Sequence, residues 1–528
     1  MNIPVKISEQ PQIVDVNGDP MVSMSSGAYR GARFDHDMLM YAPPLRSADA
    51  DLLPDMKTMV GRALDQGRNY PMISGALQIH LDNTIGSGLR FSSKPDYQYL
   101  GLDADWAAEW SREVEVFLRN YLEDPDCWID ASRRLTFGAM LGIAYRQFLT
   151  TGEICAVAEW LPRRNSPLST AIQMIDPARL SNPDGQSDSA RLRAGVVLDG
   201  MTAPVAYWFR KALDSDSRFF GAETYTWKRV SRETKWGRGK VFHHFEQERP
   251  GQSRGKTGLA SVIAKGYGLD KFHNHALESA IINSMYAAVI ETEFNYAQAA
   301  AAIDAQKLST AAAGLAGDIN QFYKGAEAVK MDGVKIPHLF PGEKFTFTTP
   351  NHPGPNFADF EKAYNRHMAA GQNLPVEMYT RDYSETNYSG HRAGLHQAWS
   401  FFTGRKDLVG GRFGSWIISL LIEEGIDKKQ IKLPRRAPGF YEAKAAYTRG
   451  RWIGPPRPQI DPLKEAKADE LEMDMGSLTF EELCARRGMD WQENIDQLAR
   501  EQRYREQSGL VPRPESQRGY NAPEVPAQ

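Results

Sequence analysis

Residues Phe245-Glu246-Gln247-Glu248-Arg249-Pro250-Gly251-Gln252-Ser253-Arg254-Gly255-Lys256-Thr257 divide the chain into two textures. Upstream lie short apolar or β-branched runs: Ile154 to Trp160, Ala171 to Ile175, Gly195 to Leu198, Val205 to Phe209, Tyr225 to Val230 and Lys240 to Phe245. Turn formers such as Asn182-Pro183-Asp184-Gly185 separate them, so this region reads as a small β-rich domain. Downstream, no proline occurs between Pro250 and Pro337, and Leu259 to Ala302 has helix-forming composition with apolar positions at Val262, Ile263, Tyr267, Leu277, Ile281, Met285 and Val289. One continuous helix from Gly258 to Tyr296 would be roughly 58 Å long, with Gly266 and Gly268 free to bend it near its start.

Further out, helical spacing dominates. Trp106, Trp110, Val114, Phe117, Leu118, Tyr121 and Leu122 mark one face of an amphipathic helix. A second helix is expected from Ile129 to Thr150, with Asp130 as its N-cap. Helical patterns recur in Asn356 to Gly371, around Leu395, Trp399 and Phe402, in Phe413 to Ile422 with Glu423 and Glu424 at its exposed end, and across the highly charged Asp461 to Glu506. Gly333 to Thr349 alternates like a hairpin or extended loop, Ala297 to Gly317 reads as an alanine-rich insertion, and Pro434 to Pro462 has the composition of a linker. Residues 1 to 55 show no period, and the proline-containing tail from Ser508 is expected to be disordered. The fold class that follows is α+β, mainly α, and 528 residues suffice for three or four structural units.

The dividing stretch carries two enzyme-like patterns. Gly251-Gln252-Ser253-Arg254-Gly255 matches G-x-S-x-G, but a nucleophile elbow needs its strand to run straight into the turn, and Glu246 to Arg249 and Pro250 intervene. Gly255-Lys256-Thr257 resembles the end of a Walker A loop, yet Pro250 stands where the first glycine belongs and Gly251 comes one place late. Neighbouring histidines, His243-His244 on a strand and His273 with His275 on a helix, diverge rather than converge on a metal. No catalytic residue, cofactor or metal is therefore expected.

Composition narrows the class further. Hydrophobic residues at 41 % and charged residues at 24 % exclude wholesale disorder. Lys and Arg total 63 against 66 Asp and Glu, so the net charge of −3 implies no nucleic-acid or membrane surface by itself. Local basic clusters stand out at Arg133-Arg134, Arg163-Arg164, Arg435-Arg436 and along Lys324, Lys330, Lys335 and Lys344. Cys127, Cys155 and Cys484 are too few and too scattered for a disulfide framework or a zinc site. With no signal-peptide pattern and no apolar run of membrane-spanning length, a soluble, intracellularly made protein without a membrane partner is expected.

Many short stretches, in one order over about residues 60 to 506, resemble the portal proteins of lambda-type tailed phages. They include Asn69-Tyr70, His80-Leu81-Asp82-Asn83, Gly86-Ser87-Gly88, Glu123-Asp124-Pro125-Asp126-Cys127-Trp128, Asp176-Pro177 and Leu180-Ser181-Asn182-Pro183. They continue with Glu248-Arg249-Pro250-Gly251-Gln252 and Gly255, Phe340-Pro341-Gly342-Glu343, Asp382-Tyr383-Ser384, Asn387-Tyr388-Ser389 with Arg392, and Asp461-Pro462-Leu463-Lys464-Glu465.

The resemblance implies a ring, commonly a dodecamer, with a wing, a stem of long helices, a β-containing clip and a helical crown around a channel for double-stranded DNA. By analogy the layout is an arm over 1–55, a helical wing and stem part over 56–152, the clip-containing region over 153–250 and a long helix over 251–296. The wing with a channel loop would cover 297–430, the crown 431–507 and the tail 508–528. Pro250, Gly251, Gln252, Gly255, Asn387, Tyr388, Ser389 and Arg392 would then be structural motif residues, and Lys324, Lys330, Lys335 and Lys344 would flank the channel loop. The implied partners are the large terminase subunit, major capsid and scaffold proteins, and a head-completion or tail adaptor protein. The implied location is the virion, at a capsid vertex, after assembly in the host cytoplasm. Competing readings are a hydrolase using Ser253, a nucleotide hydrolase using Lys256 and Thr257, and a monomeric DNA-binding adaptor.

Overall fold

The computed structural model describes residues 43–285, 289–292, 321, 329–331, 334–336, 343–346, 357–384, 386–459 and 461–509. The Ala297–Gly317 insertion and the tail beyond residue 509 lie outside them. Among the described residues helices predominate and every strand pair is antiparallel, giving the α+β, mainly α architecture.

The β-rich region supplies β2 (Glu153–Trp160), β3 (Thr170–Met174), β4 (Leu192–Arg193), β5 (Val196–Leu198), β6 (Pro204–Arg210), β7 (Trp227–Ser231) and β8 (Val241–Phe245). They form a three-stranded sheet, β3-β2-β8, and a four-stranded sheet, β4-β5-β6-β7. Two hydrophobic cores meet at β2. Side chains alternate sides along a strand, so Ile154, Ala156 and Ala158 enter the large helical core while Cys155 and Val157 enter a smaller one with Val196, Leu198, Tyr207, Phe209 and Val230.

The helix Ala104–Leu122 buries Trp110, Val114, Leu118 and Tyr121, the face its spacing predicts, and Asp103 caps it by accepting the Trp106 N–H at 2.7 Å. The next helix is Phe137–Thr151, shorter than expected, with Thr136 as its cap. Asp130 instead closes a non-helical turn, its carboxylate accepting the N–H groups of Arg134 at 2.9 Å and Leu135 at 3.1 Å. Inside the stretch read as an arm, a helix already begins at Ala48 (Ala48–Asn69). Ser47 caps it, accepting the Ala50 N–H, and Pro54 stands in its second turn.

Two further expectations are corrected. The helix after the dividing loop spans Ile263–Met285 and does not continue to Tyr296, because Val289–Thr292 is a strand, β9, pairing with β12 (Glu343–Thr346). Between them in sequence, β10 (Val329–Met331) and β11 (Val334–Ile336) pair as a hairpin. The expected linker holds β13 (Gly450–Ile453), paired with β1 (Arg90–Ser93). Its Trp452 lies against Gly410 and Gly414 of a π-helical turn, where an added Cβ would come within 2.8 and 2.6 Å of the indole. Gly414→Ala should therefore cost about 1–3 kcal/mol through overpacking, read as a lower urea midpoint at unchanged slope. A midpoint equal to the wild type would contradict this seat.

Candidate functional site

The dividing loop joins the β-rich region to the helical body through a dense set of hydrogen bonds. Gly251 takes a left-handed φ of 81° behind the exposed Pro250, and Gln252 closes the turn. Its side-chain oxygen accepts the Glu248 N–H at 3.0 Å and its amide donates to the Arg254 carbonyl at 2.8 Å.

Arg254 sits at the centre, with 2 % of its surface exposed. All five guanidinium N–H donors are used: Nε and Nη2 reach the two Glu153 oxygens at 2.7 and 2.8 Å, Nη2 also donates to the Pro177 carbonyl at 2.9 Å, and Nη1 donates to the carbonyls of Leu180 at 2.9 Å and Ala194 at 2.6 Å. One side chain thus ties β2 to the segments that lead into the four-stranded sheet. Burial pushes the Glu153 carboxyl up, but Arg254 and then His243, whose Nε2 lies 3.4 Å away, outweigh it and hold the carboxyl down at about 2.

The backbones approach as closely as the charges. Gly152, the αL cap of the Phe137–Thr151 helix at φ 87°, and Gly255 face each other's strands of chain. A Cβ on Gly152 would run into the Lys256 backbone, and one on Gly255 into the Gly152 carbonyl. Here the motif glycine serves close packing rather than a phosphate cradle.

The enzyme-like residues have structural partners. Ser253 is 7 % exposed, and its N–H and hydroxyl donate to the Asp49 carboxylate at 2.8 and 2.7 Å, so its partner is a carboxylate and not an imidazole. Asp49 also pairs with Arg193 at 2.9 Å, which fastens the first helix to β4. The Gly255 N–H donates to Glu153 at 2.5 Å, Lys256 pairs with Glu248, and Thr257 is buried. Two of the loop's backbone donors, the Ser253 and Gly255 N–H groups, are thus given to carboxylates rather than left free for a phosphate. His243 and His244 occupy successive positions of β8, and burial, then Arg412, lowers the His244 imidazole to about 4.

The other motif residues stand elsewhere. Asn387 caps the Tyr388–Leu408 helix, accepting the Gly390 N–H at 2.7 Å, while Tyr388, Ser389 and Arg392 are exposed on its first turns. No hydrogen bond or ion pair among the described residues joins them to the Pro250–Thr257 loop. Lys330 and Lys335 are register partners across the β10–β11 hairpin, Lys344 lies on β12 opposite Glu291, and Lys324 lies outside the described residues.

Sequence reasoning missed Glu153, Arg254 and Asp49, although a lone arginine between the small residues Ser253 and Gly255 was an available signal. It also placed Glu423 and Glu424 at an exposed helix end, whereas they are 7 % and 1 % exposed on the Ser415–Asp427 helix. Glu424 accepts the N–H groups of Ser169 at 2.6 Å and Thr170 at 2.8 Å, and Glu423 pairs with Arg238 at 3.1 Å. This carboxylate pair is a second clamp between the helical body and the β-rich region.

Residues 35–406 match the model of the phage portal protein, lambda family. The portal protein of Escherichia phage N15 is 33 % identical over 509 residues, covering 95 % of this chain and 94 % of its own. Portal protein B of Escherichia phage lambda is 34 % identical over 488 residues, covering 91 % and 90 %. Among solved structures, a chain from the neck of an empty GTA particle, computed with C6 symmetry, gives a TM-score of 0.44 at 13 % identity over 82 % of this chain and 94 % of its own. The chain belongs to the lambda family of phage portal proteins.

Proposed function

We infer that this chain acts as the portal of a tailed phage or prophage, a ring at one capsid vertex through which double-stranded DNA is packaged and later ejected. The observation that carries the reading is identity of 33 % and 34 % sustained over at least nine-tenths of the chain, to two proteins that are themselves portals. The role is structural: the channel is supplied by the ring, and the work of packaging by a terminase whose large subunit docks on it. Capsid and scaffold proteins and a head-completion or tail adaptor would contact the same ring, in the host cytoplasm and then in the virion. The β-rich 153–250 region would hold the clip, the Ile263–Met285 helix part of the stem, and the helices Pro462–Asp474, Phe480–Arg486 and Trp491–Gln507 the crown.

Light scattering and negative-stain imaging of the purified protein should show a ring with a central hole and, for twelve chains of 59.2 kDa, a mass of about 0.7 MDa. A monomer that turns over esters or nucleotides would overturn the reading in favour of a hydrolase.

Lys324, Lys330, Lys335 and Lys344 are assigned to the channel loop. Support comes from the β10–β11 register, which sets Lys330 beside Lys335 so that each ring of identical chains would carry paired bands of positive charge. Lys335→Ala with Lys344→Ala should lower DNA retention in packaged heads. Unchanged packaging and retention would count against the assignment.

A further inference from the structure

The four-stranded sheet ends on an open edge. Thr226 accepts the Lys211 N–H at 2.9 Å and Arg232 donates to the Val205 carbonyl at 3.0 Å, both toward β6. Backbone groups alternate sides along a strand, so the even-numbered residues of β7 face β6 and Trp227, Arg229 and Ser231 turn their N–H and C=O groups outward. No backbone partner meets these outward groups among the described residues. Charge accumulates along the same edge: from Tyr225 to Lys240 the chain has six basic residues and one acidic one, and of the basic residues Arg238 is turned inward, to Glu423 of the helical body at 3.1 Å. Lys228, Arg229, Arg232 and Lys235 are exposed, with Trp236 beside them at the tip of the following turn. Facing acids offset only part of this, Glu159 at 3.8 Å from Lys228 and Glu233 at 3.6 Å from Arg232, and Arg229 and Lys235 have no ionic partner among the described residues.

We propose that the outer edge of β7 is a docking edge for an extended, acidic segment of another polypeptide, which adds to the sheet as a fifth strand. Charges commonly guard an edge against indiscriminate pairing. Charges of one sign do so selectively, because they repel basic strands and attract acidic ones. A polypeptide fits better than a nucleic acid because the edge alternates donors with acceptors, and a phosphate backbone has no donor to give the carbonyls of Arg229 and its neighbours.

The test uses the full chain and a short labelled peptide of alternating Glu and Val, read by fluorescence anisotropy. A peptide with Lys in place of Glu and a duplex oligonucleotide serve as competitors. The acidic peptide should bind about tenfold or more tightly than the basic one. Ser231→Pro removes only an outward N–H and suits an edge strand, so it should weaken binding by about tenfold while leaving the thermal midpoint in place. Arg229→Glu with Lys235→Glu should reverse the preference between the peptides. No binding, equal binding of both peptides, or acidic binding untouched by Ser231→Pro would overturn the proposal. Tighter binding of the duplex would make the edge a phosphate surface instead, and a change in assembly mass in Ser231→Pro without a change in peptide affinity would give the edge to a second copy of this chain.

Discussion

Replacing Arg254 by Met should lower the unfolding free energy by about 3–5 kcal/mol, since it leaves a buried carboxylate without its partner. The hydrophobic stem is kept, so the loss reports the guanidinium and its five bonds rather than a cavity. The pH dependence fixes the cause. The Glu153 carboxyl is held at about 2 in the fold against an ordinary 4.5, so its contribution is fully present above about pH 4.5 and is lost as pH falls toward 2. In Arg254→Met the burial that pushes the Glu153 carboxyl up is opposed only by His243 and the Gly255 N–H, so its carboxyl rises and protonation relieves the variant first. Urea titrations at neutral pH and near pH 4 should show the gap between wild type and variant narrowing in acid. A gap independent of pH would mean that the guanidinium acts through its carbonyl bonds alone.

Gly152→Ala should be comparably severe. At φ 87° an L-residue is strained by about 1–3 kcal/mol, and the new methyl also meets the Lys256 backbone, which cannot rotate away as a side chain could. Overpacking adds about 1–3 kcal/mol more. The expected result is a protein recovered mainly insoluble, or one whose urea midpoint falls well below the wild type. Gly251→Ala is the control: its φ is 81°, but nothing lies within 4 Å of an added Cβ, so it should lose only the strain component. Equal losses at the two glycines would remove the collision from the explanation.

The sequence was most legible where local chemistry alone decides the structure. All six β-rich runs are strands, because their turns are made by Pro, Gly, Asn and Asp within a few residues of the strand ends. The Ala104–Leu122 helix likewise shows its buried face in its spacing. Misreadings arose where a polar residue answers to a distant partner. Asp130 has the chemistry of an N-cap but spends its carboxylate on a turn, and Glu423 and Glu424 look like a solvated helix end until Arg238, Ser169 and Thr170 arrive from far along the chain. The expected linker concealed β13 because the Gly and Pro around Trp452 serve close packing there. The site itself was legible as a motif and not as a mechanism. Pro250, Gly251, Gln252 and Gly255 marked the place, but the Arg254–Glu153 pair spans 101 positions of sequence and no spacing rule connects its members.

The two-faced β2 sets how this chain can change over generations. A substitution there is judged by one core or the other according to whether its position is odd or even, so neighbouring residues answer to different constraints. Insertion or deletion of one residue between Glu153 and Ala158 would send every later core-facing side chain of the strand to the opposite core. Such a length change would be intolerable in β2, whereas the exposed tip of the turn from Lys235 to Gly237 could absorb it. Relatives should therefore differ in length around that turn and hold β2 to a constant eight residues.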